Sequence, residues 1–208
     1  MATPSHPLSE ASLRNALLAR LSFSMSKNDL LIEELGIEHG SARIDVALAS
    51  SVLTGYEIKS DYDTLDRLAQ QMHSYHRVFD TLTIVTTSTF VDQITALLPA
   101  WWGILIGEKT SEGSVGLKSY RQASSHTRQD ARSIASLLWR DDAYSFAVEQ
   151  LGSVVKPRAT RDALYDLLAE QVPLATIRQR VLATLRSRDD LRKRSTSYML
   201  PEANCLTV

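Results

Sequence analysis

Two short alternating segments, separated by only three residues, constrain this chain more than any other feature. From Ala42 to Ala49, Ile44, Val46 and Leu48 alternate with Arg43, Asp45 and Ala47; from Leu53 to Lys59, Tyr56 and Ile58 alternate with Gly55, Glu57 and Lys59. A period of two marks a strand with one face toward a core. Segments this close pair as an antiparallel hairpin. Glu57 and Lys59 then share a face, with Ile58 pointing the other way, and Asp45 comes opposite them when the register is right.

Two carboxylates and an ammonium converging beside apolar side chains form a chemically loaded group. Adjacent carboxylates repel, and a divalent cation is the usual remedy; hard oxygen donors suit Mg²⁺ or Mn²⁺. Such an ion polarises a phosphodiester and lowers the pKa of its bound water, and Lys59 is the residue to orient that water and offset developing charge. The plainer alternative is a cross-strand salt bridge on the surface, worth little energy.

The rest of the chain supplies a frame for this hairpin. Ser9-Glu10 opens a helix carrying Leu13, Leu17, Leu18 and Leu21 at helical spacing, and Leu30 to Ile37 reads as a strand. A helix capped by Asp63 or Thr64 is expected to run to about Val78. Thr81 to Thr87 reads as a buried strand, Val91 to Leu98 as a helix, Trp102 to Glu108 as a strand and Gly113 to Tyr120 as a hairpin partner. Helices are expected at 129–139, 142–151, 160–170 and 174–188. This order predicts an α/β (α+β) core, with a central mixed sheet flanked by helices and an α-helical C-terminal extension. The boundaries fall at 1–121 for the core, 122–194 for the helical region and 195–208 for a tail.

Composition narrows the function classes. A hydrophobic share of 44% and a charged share of 23% are those of a globular domain. The apolar runs are too short to span a bilayer, and Met1 to Leu8 do not form a secretory signal. The single cysteine, Cys205, excludes an internal disulfide, so a cytoplasmic protein is expected. The net charge of −1 conceals an asymmetry: residues 1–117 hold 8 Lys and Arg against 14 Asp and Glu, whereas residues 118–194 hold 15 against 9. A basic half beside an acidic half suits a protein that grips a polyanion with one region and gathers carboxylates in another; solvated helix faces would give the same count.

In the helix after the hairpin, Arg67, Gln71 and Tyr75 recur every fourth residue as a polar stripe, while Leu65, Leu68, Met72 and Phe79 form an apolar one. The run Arg43-Ile44-Asp45, then Gly55-Tyr56-Glu57-Ile58-Lys59-Ser60, then Gln71-Met72-His73-Ser74-Tyr75 resembles the PD-(D/E)XK nucleases. It is most similar to the group whose ExK strand precedes a QxxxY helix, as in RecB-type and lambda-exonuclease-type enzymes, over about residues 10–108. The Glu-Leu-Gly, Arg-x-Asp, Glu-Ile-Lys-Ser-Asp, Trp-Trp-Gly and Leu-Leu-Trp-Arg blocks also resemble a family of uncharacterised bacterial proteins. The resemblance implies a restriction-endonuclease-like core and a bacterial or phage protein that cleaves DNA with Mg²⁺ or Mn²⁺. It implies metal ligation by Asp45, Glu57 and the Ile58 carbonyl, with Glu34 at the position of the additional upstream acid. It likewise implies that Lys59, Gln71 and Tyr75 complete the catalytic set; Arg43 and Arg67 are expected DNA contacts, with pairing to an acid the alternative for Arg43. Arg43-Ile44 stands where the superfamily name has a proline.

A second class of function stays open: a non-catalytic nucleic-acid-binding or adaptor protein on the same scaffold. Cutting both strands of a duplex would favour a homodimer. His73 and His76 lack the partners of a zinc site. Trp101-Trp102-Gly103 reads as core packing at a strand start and Leu137-Leu138-Trp139 as the buried face of a helix. Thr160 to Arg188 reads as two amphipathic, arginine-rich helices, a pattern shared with helix-turn-helix modules.

Overall fold

In the computed structural model, which describes residues 7–188 and Leu191, helix α1 (Glu10–Ser24) precedes the strands and four α-helices follow them among the described residues. Between them lies a six-stranded sheet: β1 (Leu30–Ile37), β2 (Ala42–Ala49), β3 (Leu53–Lys59), β4 (Thr81–Thr87), β5 (Gly103–Lys109) and β6 (Val115–Arg121). The strands lie side by side in chain order. β1, β2 and β3 pair antiparallel, β3, β4 and β5 parallel, and β6 returns antiparallel. Helix α2 (Leu68–His76) makes the first parallel crossover and α3 (Val91–Leu97) the second. The architecture is α+β, with a mixed sheet flanked by helices and a helical C-terminal region. The expected tail 195–208, Cys205 and the basic residues Arg192, Lys193 and Arg194 lie outside the described residues.

The sheet is buried on both faces, each by its own apolar cluster. Leu13, Leu17, Leu18 and Leu21 of α1 pack against Leu31, Val46, Ile58, Val85 and Leu105. Helices α2 and α3 cover the opposite face, where Leu68, Met72, Tyr75 and Ile94 meet Ile32, Ala47, Leu82, Ile84 and Ile104. That second cluster continues without interruption into α4 (Ala131–Ala135), α5 (Arg140–Leu151), α6 (Arg161–Gln171) and α7 (Leu174–Ser187) through Ile134, Phe146, Leu164, Ile177 and Val181. The segment 122–128 is tied to the sheet end: Ser124 N–H donates to the Trp101 carbonyl and His126 N–H to the Asp80 carbonyl. Buried Asp80 also accepts from Leu53 N–H and Gln129 and pairs with Arg178 of α7.

Local chemistry explains where elements begin. Ser9 caps α1 by accepting from Ser12 N–H, as its position before the leucine stripe predicts. The expected cap of α2 at Asp63 or Thr64 is not formed. Asp63 Oδ2 instead accepts from Ser60 N–H and Ser60 Oγ–H, closing the turn after β3, and α2 starts at Leu68 without a side-chain cap. The expected helix 129–139 is reduced to the single turn and a half of α4, and the chain breaks at Trp139, the residue before α5. Leu137 and Leu138 are buried as expected, but Trp139 is 60% exposed, with the Arg188 guanidinium 4.3 Å from its ring centre. Of Trp101 and Trp102, Trp102 is fully buried just before β5, as the core reading expects, and donates its indole N–H to His76 Nε2; Trp101 is partly buried and stacks on His126. Burial, then the neighbouring His126 and His73, lowers the His76 pKa to about 4, so this ring stays a neutral acceptor.

Candidate active site

The hairpin register sets out the acids in a row. The β2–β3 ladder runs from Ala49↔Leu53 to Val46↔Tyr56, so one further step brings Asp45 opposite Glu57. In the same way Glu33↔Val46 and Leu35↔Ile44 set Glu34 opposite Asp45. The row is therefore Glu34 on β1, Asp45 on β2 and Glu57 on β3.

At this row the sheet forks. β2 stays with β1 as far as Ala42↔Ile37, while β3 stays with β4 as far as Lys59↔Thr86. Asp45 sits where the two part, and its Oδ2 accepts from Ile58 N–H at 2.7 Å. The expected alternation of β2 also fails here. Val46 packs with the α1 cluster, but Ile44 joins Leu35 in the cluster of the other face. The change of face coincides with Glu34, whose φ of 55° no regular strand accommodates. Strand pairing on one side only lets β2 turn over.

Glu57 and Lys59 form the inner part of the site. They are 2% and 7% exposed, and Lys59 Nζ lies 2.7 Å from Glu57 Oε1. A buried pair of this kind is maintained only when its remaining donors and acceptors are satisfied. Here most of them are engaged: beyond Glu57, Lys59 Nζ donates to Gln71 Oε1 at 3.3 Å, and the Tyr75 hydroxyl lies 2.8 Å from Glu57 Oε2. The same hydroxyl is 2.7 Å from the Arg43 carbonyl and accepts from Gln71 Nε2 at 3.3 Å. With a single proton, it can donate to only one of its two acceptors at a time. Burial, then the charge of Glu57, drives the Tyr75 pKa far above the ordinary phenol range, so it stays a proton-bearing donor. The polar stripe of α2 therefore does face the acids, through Gln71 and Tyr75.

Two glycines bring the layers close enough for this. A Cβ on Gly55 would lie 2.7 Å from Leu82 Cδ2 and 3.1 Å from Phe79 Cδ1, so its absence seats Phe79, just beyond α2, against β3. Tyr75, one turn earlier, then comes over Glu57. On the other face a Cβ on Gly107 would lie 2.2 Å from Leu13 Cδ2, so glycine there admits α1 against β5.

Asp45 is the electrostatic pressure point. Burial, then the charge of Glu57, pushes its pKa up to about 7, against the opposing pull of Ile58 N–H, Arg14 and Lys59. Glu34 is half exposed and sits between two guanidinium groups, with Arg14 Nη2 and Arg43 Nε each 2.8 Å away. Glu33 turns to Arg14, and Glu38 to Ser74 and Arg77, so of the three neighbouring acids Glu34 is the one in the row. A cleft of about 670 Å³ opens over the row, lined among others by Glu10, Glu34, Arg43, Asp45, Glu57, Ile58, Lys59, Arg67 and Gln71. Arg43 and Arg67 are exposed at its edge.

The sequence reading missed Arg14, which enters the site from α1 and bonds Asp45, Glu34, Glu33 and Glu10. It also missed the supports of the turn after Lys59: Asp61 accepts from Thr87, Thr89 and Leu8 N–H, and Thr86 Oγ donates to the Lys59 carbonyl. Those hydrogen bonds hold the Asp61 pKa down despite partial burial. Glu10 and Arg14 stand at helical i,i+4 spacing, the one local signal available. Among the described residues no three His, Cys, Asp or Glu side chains are grouped as a ready metal cage. None of the described helices is long and apolar enough to cross a membrane.

Comparison with known proteins gives relatives for nearly the whole chain. The family model described as bacteriophage P4 protein cII matches residues 4–203. Protein cII of Enterobacteria phage P4 is 26% identical over 164 residues, which is 79% of this chain and 61% of that protein's length. Among solved structures, a protein of unknown function from Silicibacter pomeroyi matches with 18% identity and a TM-score of 0.45, over 74% of this chain and 96% of that one.

Proposed function

We propose that this chain, which belongs to the bacteriophage P4 protein cII family, is a divalent-cation-dependent nuclease that hydrolyses DNA phosphodiester bonds in the cleft over Asp45, Glu57 and Lys59. The observation that carries the reading is the convergence of Asp45 with the buried Glu57–Lys59 pair on one sheet face, held by Gln71 and Tyr75. The donor chemistry fits a hard cation. Carboxylate oxygens dominate the row, and burial, then the neighbouring charge of Glu57, raises the cost of an ionised Asp45 that a bound cation would offset. Asp45 and Glu57 would hold Mg²⁺ or Mn²⁺, with Glu34 and the Ile58 carbonyl as further donors. Bound there, the ion would supply Lewis-acid polarisation of the phosphodiester and acidify a water molecule.

The chain's own groups have distinct tasks in this reading. Glu57 and Gln71 take two of the three N–H donors of Lys59, and the third is available to a phosphate oxygen that gains charge during hydrolysis. Tyr75 and Gln71 keep Glu57 and Lys59 from collapsing into alternative rotamers. Arg43 and Arg67, at the cleft edge, attract the phosphate backbone on either side of the reacting bond.

The test is cleavage of plasmid and linear DNA with Mg²⁺ or Mn²⁺ by the native protein, Asp45→Ala and Lys59→Ala. Metal-dependent cleavage by the native protein alone is expected; equal behaviour of all three removes the enzymatic reading. A second reading, an adaptor on a nuclease-like scaffold, draws on one observation: Arg14 and Lys59 already neutralise acids of the row. Calorimetry separates the two, because the adaptor takes up no Mn²⁺ in a manner that depends on Asp45 and Glu57.

A further inference from the structure

Arg14 has no task in the proposed hydrolysis, yet it is bound more completely than any other cation near the cleft. Its side chain is 16% exposed. A guanidinium carries five N–H donors in a rigid plane, and Arg14 makes five contacts with them. Nε donates to Glu10 Oε1 at 2.6 Å; Nη1 donates to Glu33 Oε2 at 3.3 Å and to the Asp45 carbonyl at 3.0 Å. Nη2 donates to Glu34 Oε1 at 2.8 Å and to Asp45 Oδ1 at 3.2 Å. Four carboxylates and a carbonyl therefore use the whole fork, which leaves no donor directed at a phosphate. This is the geometry of a counter-cation.

The Nη2 contacts fall on the oxygens that matter. Asp45 Oδ2 accepts from Ile58 N–H at 2.7 Å and Oδ1 from Arg14 Nη2 at 3.2 Å, so a cation that ligates Oδ1 meets the Arg14 charge at that oxygen. Glu34 Oε1 is held by the same nitrogen. We propose that Arg14 is a positioning residue that competes with the divalent cation for Asp45 and Glu34: it holds the acid row together before an ion arrives and gives up its Nη2 contacts when the ion is ligated. This inference rests on the metal-site reading above. Two ligands that exclude each other at one set of oxygens weaken each other by equal factors. The native protein should therefore bind a divalent ion less tightly than its acid count implies.

The experiment is Mn²⁺ titration by isothermal calorimetry, with thermal melts in EDTA and in Mn²⁺, on the native protein, Arg14→Gln, Arg14→Lys and Asp45→Asn. Arg14→Gln should melt below the native protein in EDTA, bind Mn²⁺ roughly tenfold more tightly, and gain more melting temperature from Mn²⁺. Arg14→Lys retains the charge but cannot span Glu34 and Asp45 together, so it should fall between the two. A purely structural Arg14 would lower stability without raising metal affinity. If the native protein takes up Mn²⁺ in an Asp45-dependent manner but Arg14→Gln binds it no more tightly, competition is wrong and the metal site stands. If neither protein takes up Mn²⁺ through Asp45, the metal site fails and the inference with it. Should Arg14→Gln be unfolded in EDTA, Arg14→Lys decides by the same affinity criterion.

Discussion

Replacing Asp45 by Asn should make the protein more stable while removing the proposed activity. The folded state holds the Asp45 carboxyl at about 7, whereas 3.8 is its ordinary value. The raised value means that the folded state binds this proton more tightly than the unfolded state, so stability falls as pH rises from about 4 to about 7. At pH 8, above both values, the difference opposes folding by about 4 kcal/mol at most, taking about 1.4 kcal/mol per tenfold in the proton equilibrium. Asn retains one acceptor for Ile58 N–H but presents its NH₂ where Oδ1 accepted from Arg14 Nη2, so it loses that hydrogen bond as well as the charge attraction of Arg14 and Lys59, which offsets part of the gain. A net gain of about 1–3 kcal/mol is the working expectation. For a chain of this length that corresponds to roughly 3–10 °C in melting temperature. The assay is thermal or urea unfolding in EDTA across pH 4 to 8. The advantage of Asp45→Asn should be greatest at pH 8 and shrink steadily toward pH 4, where the native carboxyl is protonated in the folded state. Equal or lower stability at pH 8, or a difference that ignores pH, refutes the argument that burial and the charge of Glu57 penalise an ionised Asp45 in the folded state.

Tyr75→Phe deletes the hydroxyl that serves Glu57 Oε2 and the Arg43 carbonyl, so denaturant unfolding should report a loss of about 1–3 kcal/mol, the desolvation penalty of a buried acceptor left unmade. A stability within 0.5 kcal/mol of native would show that Glu57 finds another donor. Asp80→Ala removes the carboxylate that joins Leu53 N–H of β3, Gln129 and Arg178 of α7. A loss of about 2–4 kcal/mol is expected, from the buried Leu53 N–H left without its acceptor and from a partly buried ion pair broken at one partner, with amide hydrogen exchange accelerating first in α7. Unchanged protection there would mean that apolar packing alone docks the C-terminal helices.

The legible parts of this chain were those in which cause and consequence lie close in sequence. The alternation of 42–49 and 53–59 identified the hairpin and the shared face of Glu57 and Lys59, and the four-residue spacing of Gln71 and Tyr75 identified the helix face that meets them. Even short-range readings fail when two local demands compete for one side chain. Asp63 was an apt helix cap by type, but the chain leaving β3 must turn at once, and Ser60 takes its carboxylate first. Trp139 carries an apolar ring, but Arg140, Asp141 and Asp142 start a new helix beside it, and the break leaves the ring outside, beneath Arg188.

Arg14 was hidden for a different reason. Its helix looks like a simple lid on the sheet, and its acidic partners other than Glu10 lie 19, 20 and 31 residues further along the chain. A strand pattern tells what each face of a sheet presents, not what reaches that face from the layer beneath. Where β2 leaves β3 the sheet no longer separates the layers, and the long side chain of Arg14 meets Asp45 at that fork. The same separation of strands that exposes Asp45 to the cleft exposes it to a competing cation. Site and competitor follow from one structural cause, so a change that zipped β2 and β3 together past Asp45 should remove both.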